Sequence, residues 1–113
     1  MLAYIICSVR NGTPLEVSEF VGRLEEQGWE VHFPPRDVNQ EDPSGYAICT
    51  SHRAALERSD CVYVFWDVNS KGSHFDLGMA FALRKKVVLV RSYSLDCLEK
   101  SYEKVLRIWE KES

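Results

Sequence analysis

The sequence predicts an α/β fold: a small doubly wound parallel sheet of four to five strands flanked by helices. Three observations carry that expectation. Short apolar runs rich in β-branched and aromatic residues alternate with longer segments of helical period, the pattern of βαβ units. The run from Cys61 to Trp66 is uninterrupted, as in a central strand covered on both faces. Of the 113 residues, 45% are hydrophobic and 27% charged, so a single domain spanning 1–113 can hold a core without metal or disulfide staples.

Each element has its own signal. Leu2 to Cys7 is the first strand. Thr13-Pro14-Leu15-Glu16 opens a helix, with Thr13 as N-cap, Pro14 at the first helical position and Glu16 three residues after the cap. Leu15, Phe20, Val21 and Leu24 give its apolar stripe as far as Gln27, and Gly28 stands where a left-handed C-terminal cap is expected. Trp29 to Phe33 is strand two. Pro34 to Gly45 carries three of the four prolines and reads as a loop.

Tyr46 to Ser59 has a helical arrangement of Ala47, Ile48, Ala54, Ala55 and Leu56, and Cys61 to Trp66 is an unbroken apolar run suited to a central strand. After the polar loop Asp67 to Gly72 come a helix over Ser73 to Lys85, a fourth strand over Val87 to Val90 and a last helix from Leu95 to about Lys111. Right-handed crossovers leave few topologies, and the strand order 2-1-3-4 is expected. In such a flavodoxin- or Rossmann-like sheet, ligands bind beyond the carboxyl ends of the strands, where the winding reverses.

Charge and composition narrow the function. Fourteen Lys and Arg against seventeen Asp and Glu leave a net charge of −3, so there is no positive field to hold a nucleic acid. Leu2 to Cys7 lacks a basic flank and is far shorter than the roughly 20 residues of a membrane span, and the chain is expected to be cytoplasmic. Cys7, Cys49, Cys61 and Cys97 form no Cys-x-x-Cys pair and are expected to act as small hydrophobes, with neither a disulfide nor a metal site. No Gly-x-Gly-x-x-Gly and no Gly-x4-Gly-Lys-Ser/Thr occurs, so no cofactor is expected.

The chemistry is expected in the loops after strands one, three and four. Ser8-Val9-Arg10-Asn11-Gly12 places a hydroxyl, a guanidinium and an amide just before a helix N-terminus, a setting for phosphate or carboxylate. Asp67 to Asp76 includes Gly72, Ser73 and His74, and Arg91-Ser92-Tyr93-Ser94 follows strand four. Locally, Ser73-x-x-Asp76 also reads as a capping-box variant. Tyr4 and Tyr63 are expected in packing roles, and Trp66, at a strand's carboxyl end, can stack on a base.

The block from Gly72-Ser73-His74-Phe75-Asp76-Leu77-Gly78-Met79-Ala80 through Val87-Val88-Leu89-Val90 resembles the nucleoside 2-deoxyribosyltransferase family, which includes deoxynucleoside monophosphate N-glycosidases. The resemblance covers roughly residues 3 to 90. It extends to the Ser8–Gly12 loop, to Gly28-Trp29-Glu30-Val31 with Pro35-Arg36-Asp37, and to Ser59-Asp60-Cys61-Val62. It implies cleavage of an N-glycosidic bond, by hydrolysis or base transfer, with Asp76 in the place of the family's catalytic Glu.

The resemblance further implies 5′-phosphate binding by Ser8, Arg10, Asn11 and Gly12, with Asp67, Gly72 and Ser73 in the same site, and association of subunits as a homodimer or higher homo-oligomer. His52 stands where the family has an Asp, and Lys71 where it has a carboxylate. His52 and His74 are candidates to protonate the leaving base, because histidine titrates near neutral pH. The alternative is a nucleotide-binding module without turnover, since one acid among basic neighbours suits anion binding as well as bond cleavage.

Overall fold

Leu2–Ile6 forms β1, and all five side chains are buried, as a strand covered on both faces requires. β1 pairs in parallel with β2 (Glu30–His32) on one side and β3 (Cys61–Trp66) on the other, and β3 pairs in parallel with β4 (Val87–Ser92). The order β2-β1-β3-β4 is the one the sequence predicts. This computed structural model describes residues 1–9, 12–93 and 101–113. Arg10, Asn11, Leu95, Cys97 and Leu98 therefore lie outside the described residues.

The strand pleat divides the core in two. Tyr4, Ile6, Val62, Val64, Trp66 and Val87 face one way and pack with Ala55 and Leu56 of α3 (Tyr46–Arg58), Leu77 and Ala80 of α4 (Lys71–Ala82), and Leu106 of α5 (Tyr102–Glu112). Ala3, Ile5, Cys7, Val31, Phe33 and Phe65 face the other way, onto Val17, Val21 and Leu24 of α1 (Leu15–Glu26).

Several element ends differ from the sequence expectation, each for a local reason. Thr13 does not cap α1: its hydroxyl donates to Ser8 O at 2.9 Å, and Pro14 takes the N-cap position with no side-chain cap bond. Gly28 is left-handed as expected, at φ 93°. Pro34–Asp37 forms a short helix, α2, within the segment expected to be a loop. It guards the edge strand β2: Arg36 Nη2 donates to Val31 O at 3.2 Å, and the Phe33 amide donates to Asp37 Oδ2 at 2.8 Å. Asp42 then accepts from the amides of Ala47 and Ile48 and satisfies the first turn of α3.

α4 begins at Lys71, two residues earlier than expected, because Ser70 rather than Ser73 is its cap. Ser70 Oγ accepts from the Ser73 amide and donates to Ser73 Oγ at 2.8 Å. β4 runs two residues past the predicted Val90, and its register against β3 shifts between the Val64–Leu89 and Phe65–Arg91 pairs. At the end of β4 and just past it, Arg91 and the Tyr93 phenol both donate to Glu16 of α1, and the Ser92 hydroxyl donates to buried Glu103 of α5. Among the described residues no helix is long and apolar enough to cross a membrane.

Candidate active site

The parallel register sets Tyr4 of β1 beside His32 of β2, on the face covered by α3 and α4. Their rings stack with centroids 5.1 Å apart and planes 15° from parallel. On α3, helical spacing puts His52 on the same buried side as Ala55 and Leu56. On α4, Asp76 shares its buried side with Ser73, Leu77 and Ala80. Four elements thus deliver two imidazoles, a phenol and a carboxylate to one point.

Asp76 is 6% exposed and both its oxygens are held. The Tyr4 hydroxyl donates to Oδ2 at 3.0 Å, and His52 Nδ1 lies 3.0 Å from Oδ1. Burial first, then the Asp76 charge and hydrogen bond, drive the Tyr4 phenol far above its ordinary range, so Tyr4 serves as a fixed donor. Opposite a carboxylate oxygen, Nδ1 of His52 carries the proton, which leaves Nε2 as the ring's second working atom. Nε2 of His52 is buried with no hydrogen-bond partner.

His32 completes the cluster. Its ring meets His52 edge-on at 6.3 Å, and its Nε2 is likewise buried and unpartnered. Burial first, then the His52 charge, lower the His32 pKa below its ordinary 6.5. His32 also lines a cavity of about 360 Å³ beside the β2 edge, together with Arg36, Arg58, Glu25, Glu30 and Asp37. Burial, with the Asp76 charge added, pushes the nearby Cys7 thiol up to about 12 and raises Cys49.

Of the residues singled out in the sequence, the structure brings Asp76 and His52 together. His74 has other partners: Nδ1 lies 2.7 Å from Ser70 O, and the ring packs on Trp66 at 4.6 Å and on Tyr102 at 5.4 Å. Trp66 is 1% exposed, so His74 rather than a base covers it. Ser8 Oγ is buried without a partner, while the Gly12 amide closes a turn onto Val9 O at 3.2 Å. Asp67 Oδ1 accepts from the Asn69 amide, Gly72 is exposed in the first turn of α4, and Ser73 is engaged by Ser70.

Sequence reasoning assigned no role to His32 and only packing to Tyr4. The signal was there: Tyr4 and His32 are polar-tipped residues inside apolar strands, and the parallel register pairs them. Among the described residues, no group of three or more His, Cys, Asp or Glu is gathered to hold a metal ion.

No protein-family model matches the sequence, and no curated protein does either. Among solved structures the chain is similar to a CMP N-glycosidase of Clostridium botulinum, BcmB, with a TM-score of 0.64 and 22% identity over 96% of this chain and 81% of that one. At that identity the likeness concerns the fold.

Proposed function

We propose that this chain cleaves the N-glycosidic bond of a nucleoside 5′-monophosphate or nucleoside, with Asp76 as the carboxylate that meets the anomeric carbon. The observation that carries the reading is the buried Asp76, fixed by Tyr4 and His52, in a fold similar to that of an N-glycosidase of CMP. Cleavage passes through an oxocarbenium-like state, which a fixed carboxylate stabilises or traps covalently. The two bonds orient Asp76 and leave each oxygen a second lone pair to direct at C1′.

His52 is the acid in this mechanism. As the C1′–N bond breaks, its electron pair goes to the base nitrogen, and His52 supplies the proton that the departing base takes up. In hydrolysis water then bonds C1′ and gives up one proton, which returns to His52, whereas in transfer a second base would bond C1′. We assign the 5′-phosphate to the loop before α1, where Ser8, Arg10, Asn11 and Gly12 precede a helix N-terminus. Gly72, Ser73 and His74, at the start of α4, and Asp67 before it form the neighbouring wall.

A homodimer is part of the proposal. The outer face of α4 carries Phe75, Gly78, Phe81 and Ala82, all exposed and uncharged, with Phe75 57% exposed. An exposed apolar face of this kind is the surface a second copy would cover.

A second reading, a nucleotide-binding module without turnover, is favoured by the occupation of both Asp76 oxygens. One experiment separates the two: free-base release from ribo- and deoxynucleosides and their 5′-monophosphates, followed by chromatography alongside melting curves. The enzyme reading expects release from at least one of them. No release, together with a Tm raised by a monophosphate, would establish the binding module instead.

A further inference from the structure

We infer that Glu16, held in place by Arg91 and Tyr93, sets how many phosphates the site accepts: it closes the α1 end of the cleft to any phosphate chain longer than one. The inference rests on the glycosidase reading, in which a 5′-phosphate lies at the loop before α1, and it names a specificity-determining residue for that end of the substrate.

The topology fixes where these residues meet. β1 leads into α1, which covers one face of the sheet, and β3 leads into α4, which covers the other. The winding therefore reverses between β1 and β3, which are neighbours in the sheet, and the crevice beyond their carboxyl ends is where a ligand sits in an open α/β sheet. Arg91 stands in register with Phe65 near the end of β3, and the Tyr93 amide donates to Trp66 O at 2.8 Å. From there both side chains reach Glu16, in the first turn of α1. The tie joins β4 to α1 across the carboxyl end of β3, on one side of the crevice.

Each oxygen of Glu16 has its own donor. Arg91 Nη1 donates to Oε2 at 3.2 Å and the Tyr93 hydroxyl donates to Oε1, while the guanidinium lies over the Tyr93 ring at 5.3 Å. A carboxylate engaged at both oxygens keeps one position, whereas a free surface Glu samples many rotamers. Ser8 is the second, independent observation. It is 6% exposed, and its Oγ is buried without a hydrogen-bond partner among the described residues. Its carbonyl accepts from the Thr13 hydroxyl at 2.9 Å, which folds the loop back toward the start of α1. An unmet hydroxyl beside the first-turn amides of a helix suits one phosphate.

Charge then decides the count. Glu16 places a negative charge in the turn that receives the phosphate, and Arg91 offsets it, so a monophosphate meets a balanced pair. A diphosphate brings further negative charge toward Glu16, and Arg91 is already engaged. Two like charges several ångströms apart in partly hydrated protein cost roughly 5–10-fold in affinity.

Selectivity for phosphate number tests this. Base release and the rise in Tm are measured with nucleoside 5′-monophosphates and the 5′-diphosphates of the same nucleosides, for the wild type, Glu16→Gln, Arg91→Ala and the double variant. The wild type is expected to favour the monophosphate. Glu16→Gln keeps an oxygen for a donor and removes the charge, so it is expected to narrow that preference roughly 5–10-fold, through the KM of the diphosphate. Arg91→Ala leaves Glu16 unbalanced and is expected to weaken the monophosphate, and adding Glu16→Gln to it to restore the monophosphate. A tie with only a structural role would lower Tm in every variant and leave the ratio where it was. A wild type that takes mono- and diphosphates equally, or a ratio that Glu16→Gln does not move, overturns the inference. Monophosphates that raise Tm without releasing base overturn the glycosidase reading alone, and the ratio of affinities from the Tm shifts then decides the inference. If no nucleotide is cleaved or bound, both fall.

Discussion

Tyr4 concentrates the energetics of the site in one hydroxyl. It lies in the centre of β1, fully buried, and donates to Asp76 across 72 residues of sequence. Tyr4→Phe keeps the ring and its stack on His32 but leaves a buried carboxylate oxygen without its donor. The expected cost is about 1–3 kcal/mol, a Tm lower by roughly 5–15 °C. In an Asp76→Ala background the same change should cost much less, because the donor then has no acceptor to lose. Additive losses in that cycle, read by thermal melting, would show that the hydrogen bond contributes nothing.

The residue scale is also where the sequence was least legible. Asp76 and His52 were visible as candidates, but their contact joins positions 24 apart on two helices whose facing depends on the sheet between them. His32 was legible as a histidine in a strand and no more. Its place beside Tyr4 follows from the β1–β2 register, which the polar-tipped residues inside two apolar strands hint at and only the paired sheet displays. Trp66 illustrates the reverse: its place at a strand end suggested a stacking platform, and packing by His74 covers it.

At the scale of elements, apolar runs identified the four strands, most plainly β1 and β3, where continuous burial leaves a continuous signature, and the crossover rule supplied their order. Helix starts were harder, since several Ser and Thr residues compete for each cap. Thr13 turned to Ser8 O instead of capping α1, and Ser70 took the place expected of Ser73. The α4 start matters for function because this helix carries Asp76. Ser70→Ala removes the acceptor for the Ser73 amide and the donor to Ser73 Oγ, at a cost of about 1 kcal/mol. Since the frayed turn lies next to Asp76, base release should fall together with Tm. A variant with lowered Tm and unchanged activity would uncouple the cap from the site.

For the whole molecule, the sheet gives each face a separate core and leaves the outside of α4 apolar. Phe75, Gly78, Phe81 and Ala82 form that surface, and a Cβ built on Gly78 meets nothing within 4 Å, so there is room for a neighbouring helix to approach closely. Sedimentation velocity is expected to show a dimer that Phe75→Glu converts to monomer with little change in Tm. A wild type that sediments as a monomer at all concentrations would remove the second copy from the account.

The central claim is that the Asp76 centre breaks an N-glycosidic bond. Its most direct test is the rate of free-base release from nucleoside 5′-monophosphates by the wild type and by Asp76→Ala, under identical conditions and with both proteins shown to be folded. The account predicts measurable release by the wild type and a loss of at least about a hundredfold in the variant. Equal rates in the two proteins, or none in either, would contradict it.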